Sequence, residues 1–443
     1  MSEKEVSTML AKIKADGVRF IRLQFCDILG LPKNVAIPVE QAEKALTEGI
    51  WFDGSSIEGF ARINESDMLL KPDTSTYAIL PWRPAEGKVA RFICDIYTYN
   101  NTPFAGDPRY VLKKNLEEAT KLGFTFNTGP ELEFFVFKQD EEGMPTTKFV
   151  DHGGYFDLAP TDAAEDLRRE IVIALSEMGF EIEASHHEVA ESQHEIDFKY
   201  GDALPIADKV ITFKFAVKTL ALLNGLHATF MPKPISRING TGMHTHGSLT
   251  KDGKNAFYDP KGEKQLSDVA MYYIGGLLKH AKAITRIANP TINSYKRLVP
   301  GYEAPVYITW SAANRSALIR VPAPRGNSTR AEFRSPDPSC NPYLLFAAMI
   351  AAGLDGIKNK ILPPPPTDEN IYHMTPEELK KRNIDTLPGS LEESNNALLA
   401  DKVICDALGP HVIENLGAIA QAELDDYRLT VHQWELDRYL HNY

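Results

Sequence analysis

The sequence predicts an α+β fold, on three observations. Helical apolar patterns alternate with short runs in which every second residue is polar, as in strands of a sheet with one solvated face. Apolar content of 43% and charged content of 24% are ordinary for a globular enzyme. At 443 residues the chain is long for one core, so two domains are expected, 1–105 and 106–443.

In the first region, Phe20–Phe25 and Val89–Ile96 read as strands among short alternating runs with few long helical patterns. Gly106-Asp107-Pro108 marks the boundary. Asp107 suits an N-cap, Pro108 the first helical position, and Gly123 the residue after the helix end. A second helix is expected from Asp162, with Glu165 completing a capping box, to Gly179. Strands follow at about 181–189 and 194–200, then a helix at about 207–224. His227–Met231 and Met243–Leu249 are strand-like. Asn341-Pro342 opens a helix through Lys360, Pro363–Pro366 forms a stiff connector, and Val412–Leu429 is an amphipathic helix.

Several functions are disfavoured. A net charge of -12, without a basic stripe, argues against nucleic acid. No Lys/Arg-dense block suits a membrane surface, and the longest apolar run, Tyr343–Leu354, is short of the ~20 residues that span a bilayer. Cys26, Cys94, Cys340 and Cys405 are far apart and form no CxxC pair. They read as reduced thiols of a cytoplasmic protein, and the N-terminus shows no signal-peptide pattern.

The chemistry starts at Glu131-Leu132-Glu133, which leads into Phe134-Phe135-Val136-Phe137, a buried-strand pattern. Positions i and i+2 share a face, so two carboxylates project together from a mostly buried strand. That placement calls for a cation between them. Other strand-like segments supply more ligand types. These are His186-His187-Glu188, His194-Glu195-Ile196-Asp197, Met243-His244-Thr245-His246-Gly247-Ser248 and Arg330-Ala331-Glu332-Phe333-Arg334. Carboxylates with at most one imidazole suit Mg2+ or Mn2+; zinc would want Cys or several His. Arg297, Arg315, Arg320, Arg325, Arg330 and Arg334 fall within 38 residues and suit phosphate and carboxylate groups. With no GxGxxG and no Walker A lysine, metal plus arginine points to phosphoryl transfer on a scaffold other than a P-loop. Each feature has a commonplace reading when taken alone: a solvated strand face for Glu-x-Glu, a surface imidazole for His244, a turn for Asp53-Gly54. Their co-occurrence is what carries weight.

Six motifs taken together resemble the type I glutamine synthetase family over essentially the whole chain. They are Phe52-Asp53-Gly54-Ser55-Ser56-Ile57, Gly129–Phe135, His187–Ala190, Asn239–His244, Asn293–Pro305 and Arg330–Arg334. The resemblance implies a small N-terminal β-grasp domain and a large catalytic domain with a curved antiparallel sheet backed by helices. It implies a glutamate–ammonia ligase using ATP and two or more Mg2+ or Mn2+ ions per site. It further implies a homododecamer of two stacked hexameric rings with active sites between subunits. By the family pattern Glu133, Glu188 and Glu195 hold one ion, and Glu131, His244 and Glu332 the other. Arg297, with Asn239, Gly240 and His244, corresponds to the clamp on the glutamate α-carboxylate, and Arg334 to the partner of the reacting carboxylate. Arg315, Arg320 and Arg330 match phosphate ligands, and Tyr200, His246 and Ser248 nucleotide contacts. Asp53 matches the base that deprotonates ammonium, in a pocket with Ser56, Tyr155, Glu188 and the flap residue Glu303.

The chain departs from the adenylylated subgroup at Asn370-Ile371-Tyr372-His373-Met374-Thr375-Pro376, which argues against covalent regulation at Tyr372. Gly59-Phe60-Ala61-Arg62 resembles the short subgroup in which this arginine mediates glutamine feedback. The resemblance leaves the other regulators open: a PII-like protein, a repressor, an inhibitory peptide or 2-oxoglutarate. Two other functions remain as alternatives, a γ-glutamyl-polyamine ligase of the same fold and a non-catalytic regulatory homologue. The full set of matching metal ligands weighs against the second.

Overall fold

The computed structural model describes residues 2–57, 59, 67–83, 86–300, 304–312, 314, 316–369 and 371–443. Among the described residues the first lobe carries a five-stranded sheet built from β1 (Val18–Cys26), β2 (Pro32–Pro38), β3 (Ile50–Asp53), β4 (Asp67–Ile79) and β5 (Lys88–Thr98), in the order β2-β1-β5-β4-β3. β1 and β5 run parallel and the other pairs antiparallel. Helix Glu3–Ala15 contributes Val6 and Ile13 to a core with Leu23, Leu70, Phe92 and Ile96. This is the expected β-grasp arrangement. Its first helix is not among the expected elements, because its buried stripe is only Val6 and Ile13 wide. The Ser2/Glu5 capping box was the available signal.

The second lobe carries, among the described residues, a twelve-stranded sheet. Its strands are β6 (Thr125–Gln139), β7 (Pro145–Phe149), β8 (Ile182–His187), β9 (Gln193–Phe198), β10 (Gly201–Asp202), β11 (Leu226–Thr229), β12 (Met243–Lys251), β13 (Lys254–Asn255), β14 (Tyr307–Ser311), β15 (Ala317–Arg320), β16 (Ala331–Phe333) and β17 (Asp385–Thr386). The main path is β17-β14-β15-β16-β12-β6-β9-β8. Its pairings are antiparallel apart from β14 with β15. Helices Ala203–Leu223 and Pro342–Asn359 are apolar around most of their circumference and lie in the main core with Phe134, Ile196, Met243 and Phe333.

Capping chemistry sets several boundaries. Asp107 accepts from the Arg109 amide and Pro108 begins helix Pro108–Lys121. Helix Glu165–Glu177 departs from expectation: its N-cap is Ala164, two residues later than the capping box predicted. The Asp162 carboxylate binds the Ala164 amide and Arg168 Nη1 instead, and Glu165 accepts from the Ala159 amide. Helix Ala203–Leu223 begins before residue 207 because Pro205 sits in its first turn, where no amide donor is needed.

Two buried polar knots join the lobes. Asn341 caps helix Pro342–Asn359 through Oδ1 and donates through Nδ2 to the carbonyls of Asp27 (3.1 Å) and Ile28 (3.2 Å). Gly30 has to be glycine there. Its φ is +82°, and a Cβ would come within 2.9 Å of the Asn341 Cα. Arg109 lies buried among Asp73 (2.7 Å) and Asp95 (2.6 Å) of the first sheet and Asp208 (2.9 Å) of the second lobe. Tyr343 adds a 2.7 Å hydrogen bond to Asp208. Removing the guanidinium would take away the charge shared by three carboxylates, two of them partly exposed, leaving Asp208 with Tyr343 and Asp95 with Lys113. Arg109→Leu should therefore cost about 3–5 kcal/mol, read as a lowered midpoint in chemical denaturation. An unchanged midpoint would show that the knot does not hold the lobes together.

Candidate active site

The strand register assembles the site. In β6, Glu133 lies opposite Glu195 of β9, and Glu195 lies opposite His186 of β8. On the other side of β6, Glu131 lies opposite His244 of β12, and His246 opposite Glu332 of β16. Glu332 in turn lies opposite Arg320 of β15. Cross-strand partners project to one face, so six strands deliver acids, imidazoles and arginines to one surface. The predicted pairing of Glu131 with Glu133 is met, since both line one chamber of about 790 Å³. Glu188, Glu195, His244, Glu332, Arg320, Arg334 and Tyr155 line it too.

Two smaller spaces adjoin the chamber. One is lined by Asn239, Gly240, Arg297, Arg334, His244 and Glu188. The other, of about 370 Å³, is lined by Tyr200, His246, Ser248 and Arg330, with Glu131 on the wall it shares with the chamber. Asp53 and Ser56 line none of the three. Both are exposed on the first lobe, where the Asp53 carboxylate accepts from the Ser55 amide and hydroxyl. Those hydrogen bonds hold the carboxyl below its usual range. Arg62, Glu303 and Arg315 lie outside the described residues.

Hydrogen bonds fix the orientations. Glu133 Oε2 accepts from the Gly242 amide (2.8 Å) and Gln193 Nε2 (2.9 Å). Arg320 and Arg334 each bind one oxygen of the fully buried Glu332. Arg297 is anchored by the Ser335 carbonyl at 2.7 Å. Arg330 Nε donates to His246 Nδ1 at 3.0 Å. An arginine only donates, so His246 carries its hydrogen on Nε2 and donates it to Glu131 Oε1 at 2.7 Å. His244 Nδ1 stands 3.6 Å from Glu131 Oε2.

The charges are unevenly compensated. Burial alone would raise the Glu131 carboxyl, but hydrogen bonds from His244 and His246 outweigh it and hold the group well below the usual range. Glu332 is likewise lowered, burial being overcome by Arg334, His244 and His246. Glu195 goes the other way. Burial, then the charges of Asp197, Glu133, Glu131 and Glu188, push it well above an ordinary carboxylate. Asp197 rises to about 7 for the same leading reason. Such a carboxylate cluster has the donor chemistry of a divalent-cation site. Among the described residues three groupings have donor atoms within 4.8 Å of one another: His186, Glu188 and Glu195; Glu131, His246 and Glu332; and, all buried, Asp151, His187 and His194. Two further residues act here without a sequence motif to mark them: Gln193, which steadies Glu133, and His186, which faces the chamber. Gln193 lies two residues before Glu195 on the same strand, and that spacing was the available signal.

Comparison with known proteins gives a consistent picture. Residues 105–439 match the family model described as glutamine synthetase, catalytic domain, and residues 17–99 that of its beta-Grasp domain. The chain is 60% identical over 439 residues to a glutamine synthetase of Thermus thermophilus, covering 98% of both chains. It is 58% identical over 432 residues to one of Methanosarcina mazei, covering 98% of this chain and 97% of the other. Among solved structures, a GmaS/ADP complex superposes with a TM-score of 0.89 at 32% identity, covering 98% of this chain and 99% of that one. Plasmodium falciparum glutamine synthetase gives 0.87 at 29%, covering 99% of each.

The raised Glu195 carboxyl sets a pH prediction. A carboxyl with a raised pKa keeps its proton to higher pH, and a cation binding there must displace it. Mn2+ or Mg2+ uptake should therefore release protons, and affinity should fall by up to about tenfold per pH unit as pH drops through the raised range in which this carboxyl regains its proton. Calorimetry in buffers of different ionisation heat measures the proton count. Zero proton release with pH-independent affinity would refute the electrostatic reading of Glu195.

Proposed function

The chain belongs to the glutamine synthetase family, and from that premise we propose how its own residues join glutamate to ammonia. The protein is a glutamate–ammonia ligase that forms glutamine with consumption of ATP and use of divalent metal. Its residues fall into three working groups around β6, and the lobes divide at residues 105/106.

The first group holds the cations. Glu133, Glu188 and Glu195 hold one, and Glu131, His244 and Glu332 the other. The hydrogen on His246 Nε2 supports choosing His244, because a protonated nitrogen has no lone pair to give a metal. Two or more Mg2+ or Mn2+ ions bound there would offset the negative charge of phosphate and carboxylate as these meet.

The second group places the substrates. Arg297, with Asn239 and Gly240, receives the glutamate α-carboxylate in the smaller recess. Arg334, whose guanidinium borders both that recess and the chamber, faces the reacting side-chain carboxylate. Tyr200, His246 and Ser248 bind the nucleotide, and Arg315, Arg320 and Arg330 its phosphates. The γ-carboxylate oxygen of glutamate attacks the γ-phosphorus of ATP, and ADP leaves. The arginines neutralise charge that would otherwise keep the two anions apart. Ammonia then attacks the acyl carbon, and phosphate leaves.

The third group handles ammonium. Asp53 takes its proton, while Ser56, Tyr155, Glu188 and Glu303 enclose it and Glu303 closes a flap that keeps water from the acyl phosphate. Asp53 and Ser56 act on a neighbouring subunit, in a dodecamer of two stacked hexameric rings. Their exposed position away from all three cavities of their own chain supports this. The apolar residues Leu429, Val431, Trp434 and Leu440, exposed at the C-terminal end, supply surface for such an assembly. Arg62 mediates glutamine feedback.

The observation that carries this proposal is the convergence of acids from both flanks of β6, with arginines closing one side. Glu332→Ala tests it. Biosynthetic turnover should fall roughly 10³-fold or more, with the oligomer intact by light scattering. Near-normal turnover would overturn the assignment.

A further inference from the structure

The family pattern leaves His186 without a role. Its ring stands in β8 opposite Glu195. Nε2 lies 3.5 Å from Glu195 Oε1, and Nδ1 lies 3.9 Å from Glu188 Oε1. A third contact fixes the tautomer. Nδ1 is 3.2 Å from the His187 carbonyl oxygen, which can only accept, so Nδ1 carries the hydrogen. The neutral ring then turns the Nε2 lone pair toward a carboxylate oxygen. Two electron-rich atoms so placed repel unless something positive lies between them. A metal ion between them would relieve the conflict.

The ring is held in this pose. Phe156 packs edge-on against it at 4.9 Å between centroids, and Tyr155 does so at 5.6 Å. A backbone carbonyl on the far nitrogen is the usual device for orienting an imidazole whose other nitrogen binds metal. The donor atoms of His186, Glu188 and Glu195 already lie within 4.8 Å of one another.

We propose that His186 is a nitrogen ligand of the cation held by Glu133, Glu188 and Glu195, which gives that site a mixed imidazole–carboxylate donor set. The proposal rests on the metal centre described under the proposed function and adds a specificity to it. Imidazole suits Mn2+ and other transition ions better than Mg2+, whose preference is for oxygen. His186 therefore biases this site toward Mn2+.

Pulsed EPR on the Mn2+-loaded oligomer counts the coordinated nitrogens directly. His186→Leu should lose one ¹⁴N coupling, and the affinity of this site for Mn2+ should drop at least about tenfold while that for Mg2+ changes less. The double variant His244→Ala/His246→Ala leaves His186 untouched, so it covers the case in which His186→Leu fails to fold. It should retain one imidazole ¹⁴N coupling. Mn2+ bound in the double variant with no nitrogen coupling would overturn the proposal and leave the carboxylate centre standing. Failure of the wild-type protein to bind Mn2+ or Mg2+ would overturn both.

Discussion

Repulsion between carboxylates governs this protein. Glu131, Glu133, Glu188, Glu195, Glu332 and Asp197 face shared space inside a sheet whose other face is packed with phenylalanines and two apolar helices. Hydrogen-bonded strands fix the register, and the register fixes which side chains meet. The acids cannot move apart without unzipping β6 from β9 and β12. They are partly compensated by Arg320, Arg334 and the two histidines of β12, and that compensation is lopsided. Glu131 and Glu332 are already stabilised as anions, whereas Glu195 is not. A site strained in this way gains most from a cation, and its chemistry follows from that gain.

The rest of the fold serves to hold the strands still. The two helices beneath the sheet are packed into its core, and Gln193 and the Gly242 amide hold Glu133 in place. A second buried network, Asp162–Arg168–His194, lies against β8 through Ser185 and the His187 ring. The lobes are tied by Arg109 and Asn341. This keeps the first sheet, with Asp53 on its β3 edge, in a defined position on the larger lobe.

Much of this was legible in the sequence. The i, i+2 spacing of Glu131 and Glu133 told their common face, because strand periodicity depends only on backbone geometry. Asp107-Pro108 and Asn341-Pro342 told helix starts, because caps are local. Asp162 misled, because its carboxylate is committed to Arg168, a contact with no local signature until the helix exists. His186 was visible only as one of two adjacent histidines. Which of the pair faces the chamber depends on pairing with Glu195 across β8 and β9. Arg109 gave no sign of its three aspartates, since those partners lie 14 to 99 positions away. Local rules were readable; long-range partnerships were not.

The register of β6 with β9 and β12, and of β12 with β16, creates a paired divalent-cation centre. Anomalous scattering from a crystal soaked in Mn2+ and a non-hydrolysable ATP analogue tests it most directly. Two strong peaks are expected in each chamber, one among Glu133, Glu188 and Glu195 and one among Glu131, His244 and Glu332. An ordered chamber without peaks, its acids turned away from one another, would contradict it.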